Sequence, residues 1–329
     1  MHLILRYDLR APAFGPPAQD LYRAFLDQVA WADELGFDRV ILSEHHGSED
    51  GYLPSPLIAA AAVAGRTRRI RVQISALLLP LYDPIRLAED VAVLDRLSDG
   101  RIELVIGAGY RAEEFAMFGR TLAERPRLIE DGIGVLRAAW TGEPFEHRGS
   151  IVTVTPRPLQ QPHPPIIMGG SSAAAARRAA RMGLPFLPAM PDVFDAYQAE
   201  CERLGVTPGP RPSRGGPLFL HLSDDPDAAW ARIAPHALHE MNSYGRWLAG
   251  GSGSGPYSAV TDADALKNGP MYQVMTPEDC IALCARIEPD AALAFHPLMG
   301  GLPPDLAWES LELFADRVLP VARAQPPSA

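Results

Sequence analysis

Short apolar runs alternate with amphipathic stretches along almost the whole chain, and this rhythm limits the fold more than any other feature. Residues 2–7 and 39–42 are short apolar runs. Residues 70–78 alternate and then become wholly apolar, as a strand buried on both faces does. Residues 102–106, 165–170, 217–222 and 291–296 continue the series. Between them lie stretches with apolar residues at helical spacing. In 19–36, Leu21, Phe25, Val29 and Ala32 share a face and Gly36 supplies a stop. In 84–97, Pro84 opens the turn and Leu87, Val91 and Leu94 form the stripe. Helices are also predicted over 56–66, 122–140, 171–182, 191–204, 225–248, 277–286 and 306–319, with a strand-like Ile151–Val154 in the Pro-rich stretch 143–164.

Sequential strand–helix units require a parallel sheet, because parallel strands need crossover helices. Seven or eight such strands in 329 residues fit an α/β fold, a (β/α)8 TIM barrel with insertions, as one domain over 1–329. A doubly wound sheet is the competitor, but the first strand lacks the Gly-rich turn of a dinucleotide fold. The Gly/Ser-rich stretch 250–256 sits in a longer loop, 248–270, expected to act as a mobile lid over the barrel mouth.

Composition narrows the function. Hydrophobic residues are 47% and charged residues 21%, which excludes a disordered chain. A net charge of −10 disfavours nucleic acid and anionic membrane surfaces as partners. The three cysteines, Cys201, Cys280 and Cys284, are too few for a disulfide framework and read as small buried hydrophobes. The start of the chain lacks signal-peptide character and no run could span a bilayer, so a cytoplasmic location is expected.

Three clusters could carry chemistry. Glu44-His45-His46 follows the strand 39–42, and catalytic groups of a barrel sit at the carboxyl ends of its strands. Metal binding, acid–base work and plain loop hydrogen bonding are all open to it. Gly107-Ala108-Gly109-Tyr110 ends the strand 102–106, where small residues admit a ligand or make a tight turn. Met168-Gly169-Gly170-Ser171-Ser172 enters a helix start, which suits an anion or simple capping. Arg177 and Arg178, in the second turn of that helix, could add charge to the anion site, but the preferred reading is an outer, solvated face.

Together these motifs resemble the bacterial luciferase-like flavin monooxygenases. The similarity runs through Ala32-Asp33-Glu34-Leu35-Gly36-Phe37-Asp38 and Ser43-Glu44-His45-His46. It continues through Ile74–Pro80, Asp83–Asp90, Ser98-Asp99-Gly100-Arg101, Phe115–Gly119, Thr276–Cys280 and Glu309–Phe314. The resemblance implies a catalytic His45 with Glu44 and His46 as neighbours. It implies a non-proline cis peptide at Ser75-Ala76 behind the flavin ring. It also implies a cofactor bed of Gly107, Gly109, Tyr110, Met168, Gly169, Gly170, Ser171 and Ser172. It implies reduced FMN from a separate, transient flavin reductase, a small-molecule substrate, no metal, and a homodimer. A deazaflavin-dependent oxidoreductase, a non-catalytic flavin-binding subunit and, ranked last, a metal-dependent hydrolase using Glu44, His45 and His46 are the alternatives. The chain departs from luciferase itself at Ala108, where that enzyme has a phosphate-binding Arg, and at Gly107, where it has a reactive Cys. Ser171, Ser172 or another Arg such as Arg111 would then meet the phosphate. Substrate walls are expected from Tyr7, Leu53, Tyr110, Phe186 and the 240–272 region.

Overall fold

In the computed structural model, which describes residues 1–213, 216–250, 255–288 and 290–324, the rhythm becomes a curled parallel sheet wrapped by helices. The strands are β1 (His2–Tyr7), β2 (Arg39–Leu42), β3 (Arg71–Leu77), β4 (Ile102–Ile106), β5 (Phe145–His147), β6 (Ser150–Val152), β7 (Ile166–Gly170), β8 (Phe186–Pro188), β9 (Phe219–Leu222), β10 (Tyr272–Met275) and β11 (Ala292–Phe295). The helices are α1 (Ala18–Glu34), α2 (Pro56–Arg66), α3 (Pro84–Leu97), α4 (Ala112–Met117), α5 (Arg125–Trp140), α6 (Ala173–Arg181), α7 (Val193–Leu204), α8 (Pro226–Gly250), α9 (Ala263–Lys267), α10 (Pro277–Cys284), α11 (Pro304–Leu313) and α12 (Leu319–Ala324).

The main sheet runs β11-β1-β2-β3-β4-β7-β8, and β9 and β10 form a second parallel pair. The Gly216 N–H donates to the Ala292 carbonyl at 3.0 Å, which brings the approach to β9 against β11. The result is a TIM-barrel-like fold, as the alternation predicts.

Parallel register fixes which residues face inward. Arg6 is level with Ile41, Ile41 with Gln73, and Gln73 with Glu103. Their neighbours in sequence face the helices. Tyr7 is fully buried, its hydroxyl donates to Gln28 of α1 at 3.0 Å, and its ring meets Phe25 edge-on at 4.8 Å. At the amino ends of the strands, Glu103 takes hydrogen bonds from Arg71 (2.5 Å) and Gln73 (3.2 Å) and pairs with Arg39 (3.1 Å), the two arginines staying half-exposed. The main apolar core lies between the sheet and its helices, with Leu5, Phe25, Val40, Ile74, Leu104 and Phe295 all buried.

Local signals set the element ends. Asp83 caps α3 by accepting the N–H groups of Ile85 and Arg86. Gly36 adopts φ +77° just past α1. Other elements differ from expectation. Of the run 151–154 only Ile151 and Val152 are strand, in β6, which pairs antiparallel with β5 across Arg148 and Gly149, both at positive φ. The strands β8 and β10 and the helices α4 and α9 have too few residues for a periodic signal. Cys201 and Cys280 are buried and Cys284 half-buried. Among the described residues no helix is long and apolar enough to cross a membrane.

Candidate active site

The carboxyl ends of β1, β2, β3, β4, β7 and β8 surround a cavity of about 510 Å³, and α8 covers one side of it. Of the residues singled out from sequence, Glu44, His45, Ser75, Ala76, Gly107, Gly109, Tyr110, Gly169, Gly170, Ser171 and Ser172 line this cavity. Met168 is not among the lining residues. It lies in the core, because the alternation that turns Gly169 inward turns Met168 toward the helices. His46 lies outside it as well, on a second cavity of about 350 Å³ with Tyr82, Asp90 and Phe118.

His45 is held by a carboxylate the sequence did not advertise. Its Nδ1 is 2.7 Å from Glu114 Oε1, on α4. The same oxygen accepts the His46 N–H at 3.0 Å and an Arg111 N–H at 3.1 Å. Burial alone would raise the Glu114 carboxyl. The hydrogen bond and charge of His45, the His46 N–H and Arg111 together hold it below the usual carboxylate range. An ionised Glu114 can only accept, so Nδ1 carries the proton and Nε2 is left to face Tyr110 Oη, 3.3 Å away. The rings of Tyr52, Tyr110 and Trp247 enclose the imidazole, with centroids 4.9 to 5.4 Å from it.

Glu44 is equally fixed. It accepts the Leu78 N–H at 2.8 Å and the Tyr82 hydroxyl at 2.7 Å, and it lies 2.9 Å from His46 Nε2. Burial, then the Glu44 charge, pushes the Tyr82 hydroxyl far up, so it stays a donor. With these donors committed to one another, the triplet is an ordered hydrogen-bonded turn with His45 aimed inward and His46 aimed away.

The opposite wall is bare backbone. A Cβ on Gly107 would lie 2.6 Å from the Ala76 Cβ, and one on Gly169 would lie 2.9 Å from Val105 Cγ1. The Ser75–Ala76 peptide bond is cis. Beyond these residues Ser172 caps α6, its hydroxyl accepting the Ala175 N–H at 3.3 Å. Two arginines converge at this end. Arg178 lines the cavity with its side chain only 14% exposed, paired with Glu130 at 2.8 Å, rather than solvating an outer face. Arg125 also lines it and donates to the Gly109 carbonyl at 2.8 Å. Burial, then the charge of Arg178, lowers the Arg125 guanidinium. Arg111 does not serve here. It is committed to the His46 carbonyl and Glu114, and it lies 4.4 Å over the Trp247 ring.

The remaining wall is aromatic. Tyr52, Tyr110, Tyr244 and Tyr257 line it together with Arg6. Of the walls expected from sequence, Tyr110 and the 240–272 region contribute. Tyr7, Leu53 and Phe186 are instead core residues, turned outward by strand alternation or packed beneath the surface. Within the expected lid, residues 251–254 lie outside the described residues. Leu248, Gly255, Pro256 and Tyr257 border the cavity, and 263–267 is α9 rather than loop.

A sequence profile described as luciferase-like monooxygenase matches residues 8–272. The alkanal monooxygenase alpha chain of Photorhabdus laumondii is 33% identical over 164 residues, 47% of this chain and 45% of that one. The chain spans about half the length of the curated relatives it matches. Similar solved structures cover nearly all of it. Monooxygenase RslO1 from Streptomyces bottropensis has a TM-score of 0.75 at 25% identity, over 97% of this chain and 99% of that chain. The oxygenating constituent of 3,6-diketocamphane monooxygenase from Pseudomonas putida, solved with FMN, has a TM-score of 0.72 at 20% identity, over 97% and 98% of the two chains.

Proposed function

The chain belongs to the luciferase-like monooxygenase family, and from that premise we propose that it is the oxygenating component of a flavin-dependent monooxygenase. In this reading it takes reduced FMN from a separate reductase and uses dioxygen to oxidise a small organic substrate. One observation carries the reading. A single cavity joins a carboxylate-oriented histidine, His45 on Glu114, to a cationic end built by Arg125, Arg178, Ser171 and Ser172.

The residues fit a flavin mononucleotide. The wall at Ala76, Gly107 and Gly169 has no side chain large enough to hold off a flat ring. Two converging guanidinium groups and the start of α6 suit a phosphate dianion, which would relieve the repulsion between them. Bound there, reduced flavin supplies the activation of dioxygen. The protein does the rest. Glu114 fixes the tautomer of His45, leaving Nε2 able to hold or release a proton toward the cavity. The rings around His45 leave its side chain only 8% exposed, which limits the access of water to it.

Anaerobic titration of the purified chain with reduced FMN and with a reduced deazaflavin tests the cofactor. FMN is expected to bind, and binding of the deazaflavin alone would replace this reading with hydride transfer. On admitting air, the His45→Ala protein should bind FMN as the parent does. Its reaction of bound reduced flavin should change by about 10²–10⁴-fold. An unchanged rate would remove His45 from the chemistry.

A further inference from the structure

The cavity has a second cationic end. β1 and β7 stand four places apart in the sheet order β1-β2-β3-β4-β7, so Arg6 faces the cavity across the mouth from Arg125 and Arg178. We propose that Arg6 receives an anionic oxygen of an aromatic substrate, a phenolate or a carboxylate on the ring. This deepens the flavin monooxygenase reading above, on which it rests for the meaning of the cavity.

Arg10, close by, is an arginine whose charge is met by carboxylates, although its two terminal nitrogens make no hydrogen bond. It is fully buried, its Nε is 3.0 Å from Asp8, Asp50 lies 3.7 Å away, and its guanidinium lies over Tyr52 and Tyr244. Arg6 has no such close ion pair: its nearest side-chain partners are the Tyr244 and Tyr257 hydroxyls. Its hydrogen bond to Tyr244 Oη is long, 3.4 Å, and among the described residues no carboxylate oxygen lies within 4.0 Å of it. Asp8 and Glu240 act on it only at longer range; Asp8 is already paired with Arg10, and Glu240 takes the Tyr272 hydroxyl at 2.7 Å.

The surrounding groups suit a ring. Tyr244 and Tyr257 stack at 4.4 Å with planes 24° apart. The Tyr52 and Tyr244 hydroxyls lie 2.8 Å from each other. Burial pushes the Tyr52, Tyr244 and Tyr257 hydroxyls up, so they remain neutral donors beside the cation and add no competing charge. A flat ligand would slide along these aromatic faces and place its oxygen on the guanidinium. Charge-assisted hydrogen bonds of this kind favour an anion over its neutral counterpart by about tenfold to a hundredfold.

The test uses the full-length protein, with and without FMN, and three probes: benzoate, 4-nitrophenolate and the neutral benzyl alcohol. Binding is read by ligand-observed NMR, and FMN affinity by flavin fluorescence. Either anion, or both, should bind the parent protein at least tenfold more tightly than benzyl alcohol, and the preferred anion identifies the oxygen. Arg6→Met should abolish the preference and Arg6→Lys should keep part of it, with FMN affinity unchanged in each. Equal binding of anions and alcohol by the parent would overturn the proposal, as would a preference that survives Arg6→Met. Absence of FMN binding would instead overturn the flavin reading, because the flavin-free arm still reports on Arg6.

Discussion

Glu114 is a carboxylate with no exposed surface, placed where it can only accept from His45, His46 and Arg111. Replacing it by Gln would allow the side chain to offer an N–H to Nδ1, so the histidine would lose its enforced tautomer. We expect Glu114→Gln to lower turnover by roughly 10²-fold or more while leaving FMN affinity within threefold. Steady-state kinetics at saturating reduced FMN check this, and unchanged kcat would show that Glu114 only packs. Glu114 was hidden in the sequence because nothing in Arg111-Ala112-Glu113-Glu114 marks which acid turns inward. His45 was legible because it follows a strand whose end must face the mouth.

At the scale of the element, the turn from β7 into α6 does two jobs. Gly169 and Gly170 let neighbouring atoms approach, since a Cβ on Gly170 would lie 2.5 Å from the Ala175 Cβ. Ser172 then caps α6 and the helix carries Arg178 back to the cavity. If the phosphate sits here, Arg178→Met should weaken FMN by about tenfold to a hundredfold and riboflavin hardly at all. Fluorescence titration with both ligands decides it, and equal losses would place the phosphate elsewhere. The serines and glycines of this turn were visible in sequence. Arg178 is ambiguous in sequence, between added charge and a solvated face, because helical spacing alone does not say which side of a short Ala/Arg helix borders a cavity.

At the scale of the molecule, closing the barrel buries groups that water would otherwise hold. His221, on β9, lies beside Phe219 with ring centroids 6.2 Å apart. Burial, then the charge of Arg232, pushes its imidazole down to about 4. The unfolded chain takes up the proton near pH 6.5 while the folded one resists, so stability is full above that pH and falls as pH drops toward 4. The protein should be about 2 kcal/mol less stable at pH 5 than at pH 7 through this group alone. Urea unfolding at both pH values should show the loss, and His221→Gln should remove most of the difference. An equal pH dependence in the variant would assign it to other groups.

The periodicity of the chain by itself determined that strands and helices alternate, that the sheet is parallel, and that Glu44, His45, the glycines and Ser171-Ser172 stand at its carboxyl edge. Those conclusions rest on local rules, the spacing of apolar side chains and the chemistry of turns. The tertiary structure alone decided which charges meet. Arg39, Arg71 and Glu103 read as scattered polar residues until the pairing of β2, β3 and β4 brings them side by side. Arg6 and Tyr7 are neighbours in sequence, yet one lines the cavity and the other joins the core, because the strand turns successive side chains to opposite faces. Which face looks into the barrel is set by the strands on either side, 35 or more residues away in the chain, and no local pattern carries that distance.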